Sequence, residues 1–440
     1  MLSMRAVSQS PEIPAIFYDS SMSASLVSPT VLSFEDARRT VEKEAATMQA
    51  PDSESLDLIA AGGRVLAQHL SADRDLPPFP RSTRDGYALR SADLAYLPAT
   101  LELIGEIKAG EALDRIPSDI RNGQAVSIMT GAPVPDGADA VAMVEFSSQS
   151  GDRVEIARSV APGENIVPKG AEARQGIELV ARGVRLNDAA IALAASVGKS
   201  KLQVYKRPRV SVLTTGNEIV EIDTVPGATQ IRNSNAYSLA AQIQAAGGDP
   251  ILLPIAPDEP HGLRPLVEQG LKTDLLLMTG GVSMGRYDFV EQVLAEMNAE
   301  FFFTGAKIQP GRPVVFGKCA AAARNDKAAY FFGLPGNPVS TMVTFELFAR
   351  PMLEALAGMI PRKLMFVYAK LKSEIRTKAG LKRFLPSMLS GEFENSQVEL
   401  IRWQGSGDVA ATARANCYIV IPPDRENIPA GEFVPVMMRS

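Results

Sequence analysis

At 440 residues the chain exceeds the size at which one hydrophobic core keeps growing, so two to four domains are expected. Hydrophobic residues at 46% and charged residues at 22% are ordinary globular usage, which excludes disorder, collagen-like sequence and a coiled coil. The net charge is −5 with no basic stripe, and no apolar run approaches the length of a membrane span, so neither nucleic acid nor a bilayer is expected as partner.

Residues 1–30, rich in Ser, Pro and Met, read as a flexible leader. Ser33 followed by Glu35 and Asp36 is a helix start, and Val41, Ala45 and Met48 continue it at helical spacing. From Asp75 onward short apolar runs punctuated by Pro and Gly predict a β-rich insertion over 75–176. Asn187 or Asp188 caps a helix that Gly198 ends, and this helix is expected to return to the first one. Residues 31–74 and 177–207 then form one discontinuous helical domain.

After Pro208 strand and helix alternate: a strand over Arg209 to Thr215, a helix over Ser234 to Ala246, a strand over Ile251 to Ile255 and a helix over Leu263 to Leu271. A strand over Asp274 to Thr279, a helix over Phe289 to Met297, strands over Pro313 to Gly317 and Ala329 to Leu334, and a long helix over Val339 to Leu356 follow. This predicts an α/β domain over 208–362 with a mostly parallel sheet covered on both faces. Residues 363–440 read as a small C-terminal β-barrel-like domain.

Cys319 and Cys417 lack CxxC spacing, which points to a reducing compartment, and His69 and His261 are too few for a histidine metal site or a Ser-His-Asp triad. Any metal must be held by oxygen. In open α/β sheets ligands bind beyond the carboxyl ends of the strands, and three such ends carry unusual loops. These are Thr214-Thr215-Gly216-Asn217-Glu218, then Thr279-Gly280-Gly281-Val282-Ser283 with Asp288 following, and Pro335-Gly336-Asn337-Pro338-Val339-Ser340. Glycine lets backbone N–H groups approach an anion, while hydroxyls and helix N-termini add donors. Any one such loop is most simply a tight turn; three together are not. The carboxylates Glu218, Asp258 and Asp288 would repel a phosphate unless magnesium lay between them. Lys307 and Arg312 add cations beside the same mouth. No P-loop of the form GxxxxGK[ST] occurs.

Five phrases in order carry a resemblance: Asp75-Leu76-Pro77 with Arg84-Asp85-Gly86-Tyr87-Ala88, Met129-Thr130-Gly131-Ala132-Pro133-Val134-Pro135 with Gly137-Ala138-Asp139, and the three loops above. Over residues 31 to 440 the chain resembles the molybdopterin molybdenumtransferases of MoeA type and the E domain of gephyrin. The resemblance implies a four-part subunit in an elongated cytoplasmic homodimer, with active sites shared between subunits. It implies that molybdate joins adenylylated molybdopterin with release of AMP, with magnesium as cofactor and with an adenylyltransferase and apo-molybdoenzymes as partners. By motif, Asp85, Thr130 and Glu172 come from the insertion, and Glu218, Asp258, Asp288, Pro335 and Pro338 from the α/β domain. Catalysis would rest on Asp85, Glu218 and Asp288, and the metal on Asp258, Asp288 and Glu218. Departures are Glu172 and Asn233, where aspartates are usual, and Gln309, where a lysine is common. A pterin adenylyltransferase sharing the α/β domain and a gephyrin-like scaffold are the competing readings.

Overall fold

Ser33 opens the first helix, α1 (Phe34–Ala45): its hydroxyl accepts a hydrogen bond from Asp36 N at 3.0 Å, and Glu35 and Asp36 place negative charge on the positive end of the helix dipole. The computed structural model describes residues 30–112, 116–117, 119–281, 289–324 and 327–439. They fall into two units, one formed by the chain up to Pro51 together with Arg207 onward, the other by Asp52–Lys206.

The sheet of the first unit contains β1 (Arg209–Thr214), β2 (Asp249–Leu252), β3 (Leu275–Thr279), β4 (Ala299–Phe303), β5 (Val315–Arg324) and β6 (Lys327–Leu334). Their order is β2-β1-β3-β6-β5-β4. The first four in that order run parallel, and β5 is antiparallel to both its neighbours. Strands buried on both faces explain the unbroken apolar runs. Val210, Val212, Leu275, Leu277 and Phe332 face one core, and Leu213, Leu276, Met278 and Phe331 face the other. Helix α2 (Ser234–Ala246) covers the first face, and α3 (Pro260–Gly270) with α4 (Phe289–Glu296) the second.

Helix α1 packs on the first unit. Phe34, Ala37, Val41 and Ala45 sit in the core of this first unit, with the Phe34 ring 6.1 Å from Phe348 and 5.3 Å from Phe384. Its apolar stripe is matched by that α/β face; each large side chain of the stripe, fully buried, contributes roughly 1.5–3 kcal/mol.

The long C-terminal helix of the α/β domain is interrupted. Helix α5 (Pro338–Thr344) widens into a π-helical turn over Phe345–Ala349 before α6 (Arg350–Leu356). Pro351 has no N–H to donate to the Leu347 carbonyl four residues back, and the guanidinium of Arg38 on α1 donates to that carbonyl instead at 2.6 Å. The break in the helix and the docking of α1 are therefore one feature.

Beyond α6, strands Phe366–Leu371, Lys382–Ser390, Gln397–Leu400, Cys417–Ile421 and Phe433–Met438 close on themselves, Lys382–Ser390 pairing with both Gln397–Leu400 and Cys417–Ile421. The barrel is filled by Leu371, Val398, Ile419, Val436 and their neighbours.

The second unit carries a six-stranded sheet in the order Ala140–Met143, Gly86–Leu89, Gln124–Ile128, Ala99–Ile107, Arg153–Ile156, Ser147–Ser150. Each face has its own apolar cluster, one around Tyr87, Leu89 and Leu101, the other around Ala88, Ile107 and Val141. A separate core gathers Leu66, Leu70, Leu186, Ala190, Ala194 and Val204. Asn187 caps its helix, Asp188–Ser196, by accepting from Ala190 N at 2.9 Å.

Candidate active site

Strand β1 is followed by β2 on one side and β3 on the other, so the chain reverses its winding at β1, and the loops leaving β1 and β3 diverge there. Thr215 extends β1 by donating its N–H to Thr279 O at 3.0 Å. Gly280 has φ +91°, and a Cβ on it would stand 2.3 Å from the Thr215 carbonyl oxygen; a Cβ on Gly281, at φ +60°, would stand 2.8 Å from the Thr215 hydroxyl. Neither position accepts a side chain. The third loop arrives beside them, with the Cβ position of Gly336 3.6 Å from Gly280 Cα. Among the described residues the N–H groups of Gly280, Gly281, Gly336 and Asn337 donate to no protein acceptor, and the buried Thr215 hydroxyl has no partner. Such a cluster suits an anion.

Helix α5 starts in that loop. Asn337 makes no side-chain cap and Pro338 takes the first helical position, so the positive helix end carries no capping oxygen of its own. Thr341 donates to the Pro335 carbonyl and fixes the turn, and Ser340 is buried in the first turn. Gly216 lies beneath Glu218: a Cβ there would meet both Glu218 carboxylate oxygens at 2.8 and 2.9 Å. Asn217 and Asp258 clasp each other, Asn217 N donating to Asp258 Oδ2 at 3.3 Å and Asp258 N to Asn217 Oδ1 at 3.2 Å. This clasp joins the loops carrying Glu218 and Asp258. Neither carboxylate forms an ion pair among the described residues. Lys307 and Arg312 are exposed and likewise unpaired there, on a loop pressed against α5, where a Cβ on Gly311 would stand 2.4 Å from Thr344 Cγ2. Ser283 and Asp288 lie outside the described residues.

Two buried asparagines at the start of α2 escaped the sequence reading as a network. Asn233 Oδ1 caps α2 from Ala236 N at 3.2 Å and accepts from Thr214 Oγ1 at 3.1 Å. Asn235 donates to Thr279 Oγ1 at 2.9 Å and to Gly336 O at 2.7 Å. The signal available was the Asn-Ser-Asn phrase at a helix start, which marks a cap but not its distant partners.

In the second unit, Asp85 Oδ1 accepts from Thr130 N at 2.7 Å, which brings two of the sequence phrases together and leaves the other carboxylate oxygen uncommitted to that bond. Both residues are exposed. Glu172 pairs with Arg81 at 2.9 Å. Elsewhere, cysteine and histidine chemistry is unsupported: burial pushes the Cys417 thiol up to about 11, Cys319 is buried, and His69 is held by Glu178 at 2.6 Å.

Three family models cover the chain in order: the MoeA N-terminal region (domains I and II) over residues 32–198, a probable molybdopterin binding domain over 211–355, and the MoeA C-terminal region (domain IV) over 368–438. A molybdopterin molybdenumtransferase of Nostoc sp. is 34% identical over 394 residues, 88% of each chain. The chain belongs to the molybdopterin molybdenumtransferase family. A family member from Staphylococcus aureus is 30% identical over 379 residues, 85% of this chain and 88% of its own. A crystal structure of the molybdopterin biosynthesis moeA protein from Pyrococcus horikoshii matches with a TM-score of 0.73 at 28% identity, covering 93% of this chain and 100% of that one. The multidomain α/β architecture with its closed barrel is thus that of the MoeA family, and the glycine loops at β1, β3 and β6 all lie inside the molybdopterin-binding match.

Proposed function

We propose that this chain transfers molybdenum from molybdate to the dithiolene of adenylylated molybdopterin, releasing AMP, as a cytoplasmic homodimer. The observation that carries the reading is the meeting of the Gly280-Gly281 and Gly336 loops, whose N–H groups meet no acceptor among the described residues, with an uncapped helix start and with carboxylates and cations unpaired among those residues. The loops and the α5 start would hold phosphate oxygens, and Lys307 and Arg312 would steady molybdate or the developing charge on the departing AMP. Asp85, aligned by Thr130 N–H, would position a water or relay a proton for the same reaction.

Glu218 and Asp258 would offer magnesium hard oxygen ligands on loops joined by the Asn217 clasp, and among the described residues neither pairs with a protein cation. When bound, that cation supplies Lewis-acid polarisation of the phosphoanhydride. Glu172, which pairs with Arg81, and Thr215, Ser283 and Ser340 are read as substrate contacts. An adenylyltransferase and apo-molybdoenzymes are the partners this reaction requires. No helix among the described residues is long and apolar enough to cross a membrane. A pterin adenylyltransferase needs only the α/β domain, whereas the family matches here extend over both units and the barrel.

The test is AMP release from adenylylated molybdopterin by the purified protein, with molybdate and magnesium each supplied or omitted. Release that requires both, accompanied by reconstitution of an apo-molybdoenzyme, is the expected result. Tight pterin binding without release would overturn the transferase in favour of a carrier.

A further inference from the structure

Asn235 sits in the first turn of α2, 8% exposed, and its carboxamide faces two loops that come from distant parts of the chain. One Nδ2 hydrogen bond reaches Thr279 Oγ1 at the end of β3, and the other reaches the Gly336 carbonyl after β6. Because a carbonyl can only accept, the atom facing Gly336 must be the NH2 group, and this fixes the orientation of the amide. Its Oδ1 is then left buried without a partner among the described residues. An unpaired buried acceptor is destabilising, so the asparagine is an unfavourable choice if its purpose is to stabilise the fold. Leucine would fill nearly the same volume with no orphan atom.

We infer that Asn235 is a positioning residue for the reaction proposed above, on which this inference rests. It ties the Gly280 and Gly336 loops at the separation where their N–H groups share one anion. Thr279 extends the tie by donating to Pro335 O at 3.3 Å, so both sides of the third loop's turn are held from α2 and β3. Nothing in this role touches substrate; Asn235 acts through the two glycine loops. Buried polar networks at functional sites are where a fold accepts local cost for geometry.

The experiment compares wild type, Asn235→Leu and Asn235→Asp. Leucine removes both donors and the orphan acceptor without adding charge; Thr279 keeps Pro335, and the carbonyl of the exposed residue Gly336, part-buried in its bond to Asn235, can turn to water. Aspartate keeps the shape but sets an acceptor against the Gly336 carbonyl. Two readouts are taken: amide hydrogen exchange of peptides covering 335–344, in which the Val339 and Thr341 N–H groups are bonded to Ser406 O and Asn337 O, and KM and kcat for AMP release. The expected result for both variants is faster exchange confined to that loop, a melting temperature at or near wild type for leucine, and KM for the adenylylated pterin raised about tenfold or more with kcat changed far less. Unchanged exchange would show that the amide holds nothing. Faster exchange with unchanged KM would show that the tie is structural only. If leucine lowers the melting temperature while aspartate does not alter KM, the positioning role is also overturned. Should wild type itself release no AMP, the functional reading falls, and the exchange data alone then decide whether the tie exists.

Discussion

Replacing Glu218 with alanine should reduce AMP release by about 10²- to 10⁴-fold while leaving the fold intact. The side chain is exposed at the end of β1, and what the loop needs structurally is its backbone, whose carbonyl accepts from Ile231 N at 2.8 Å. Alanine retains that bond. A surface carboxylate without an ion pair should change stability by no more than about 0.5 kcal/mol. Steady-state turnover and a melting curve on the same preparation check both parts. Full activity would remove Glu218 from the mechanism, and a large fall in melting temperature would make it a structural residue. Isothermal titration with magnesium adds a third measure, since a ligand role predicts weaker binding in Glu218→Ala and in Asp258→Ala.

Gly86→Ala should be the most damaging single-methyl change to the fold. A Cβ at Gly86 would stand 1.9 Å from the Ala142 carbonyl oxygen and 2.9 Å from its carbon, within the ladder that pairs Gly86–Leu89 with Ala140–Met143. Both atoms are backbone, so no side chain can rotate away. The strand Ala140–Met143 lies at the sheet edge and must shift, at a cost of about 3 kcal/mol. Urea unfolding monitored for the second unit measures this; an unchanged midpoint would mean the edge strand yields freely. The glycine of the Asp-Gly-Tyr-Ala phrase is then explained by strand pairing.

The α/β domain was legible because its signals are local. Helix α2 runs over Ser234–Ala246 as expected, since Asn233 caps it and Gly247, at φ +94°, ends it. Strand β2 was expected at Ile251 to Ile255 but occupies Asp249–Leu252, which includes Pro250; an edge strand tolerates the proline. Strand β4, Ala299–Phe303, was missed because a five-residue stretch ending in three phenylalanines, between a helix and a loop, has no clear period. The placement of α1 and the turn at Phe345–Ala349 depend on Arg38 meeting Leu347, which no sequence window spans. The same holds at the site. The glycine loops announce themselves, but Asn235 reads as part of a cap until its partners 44 and 101 residues away are seen.

Residues 52–206 are inserted between α1 and the sheet that α1 covers. Arg38 finds Leu347 only 309 positions later, which at roughly 5–20 residues per second corresponds to tens of seconds of synthesis. During that interval the inserted unit has emerged whole and can close its own cores, while α1 waits on the ribosome with its apolar stripe bare. The guest is therefore expected to fold before its host, and nascent chains halted between residues 207 and 345 should engage chaperones through the stretch around Phe34 and Val41.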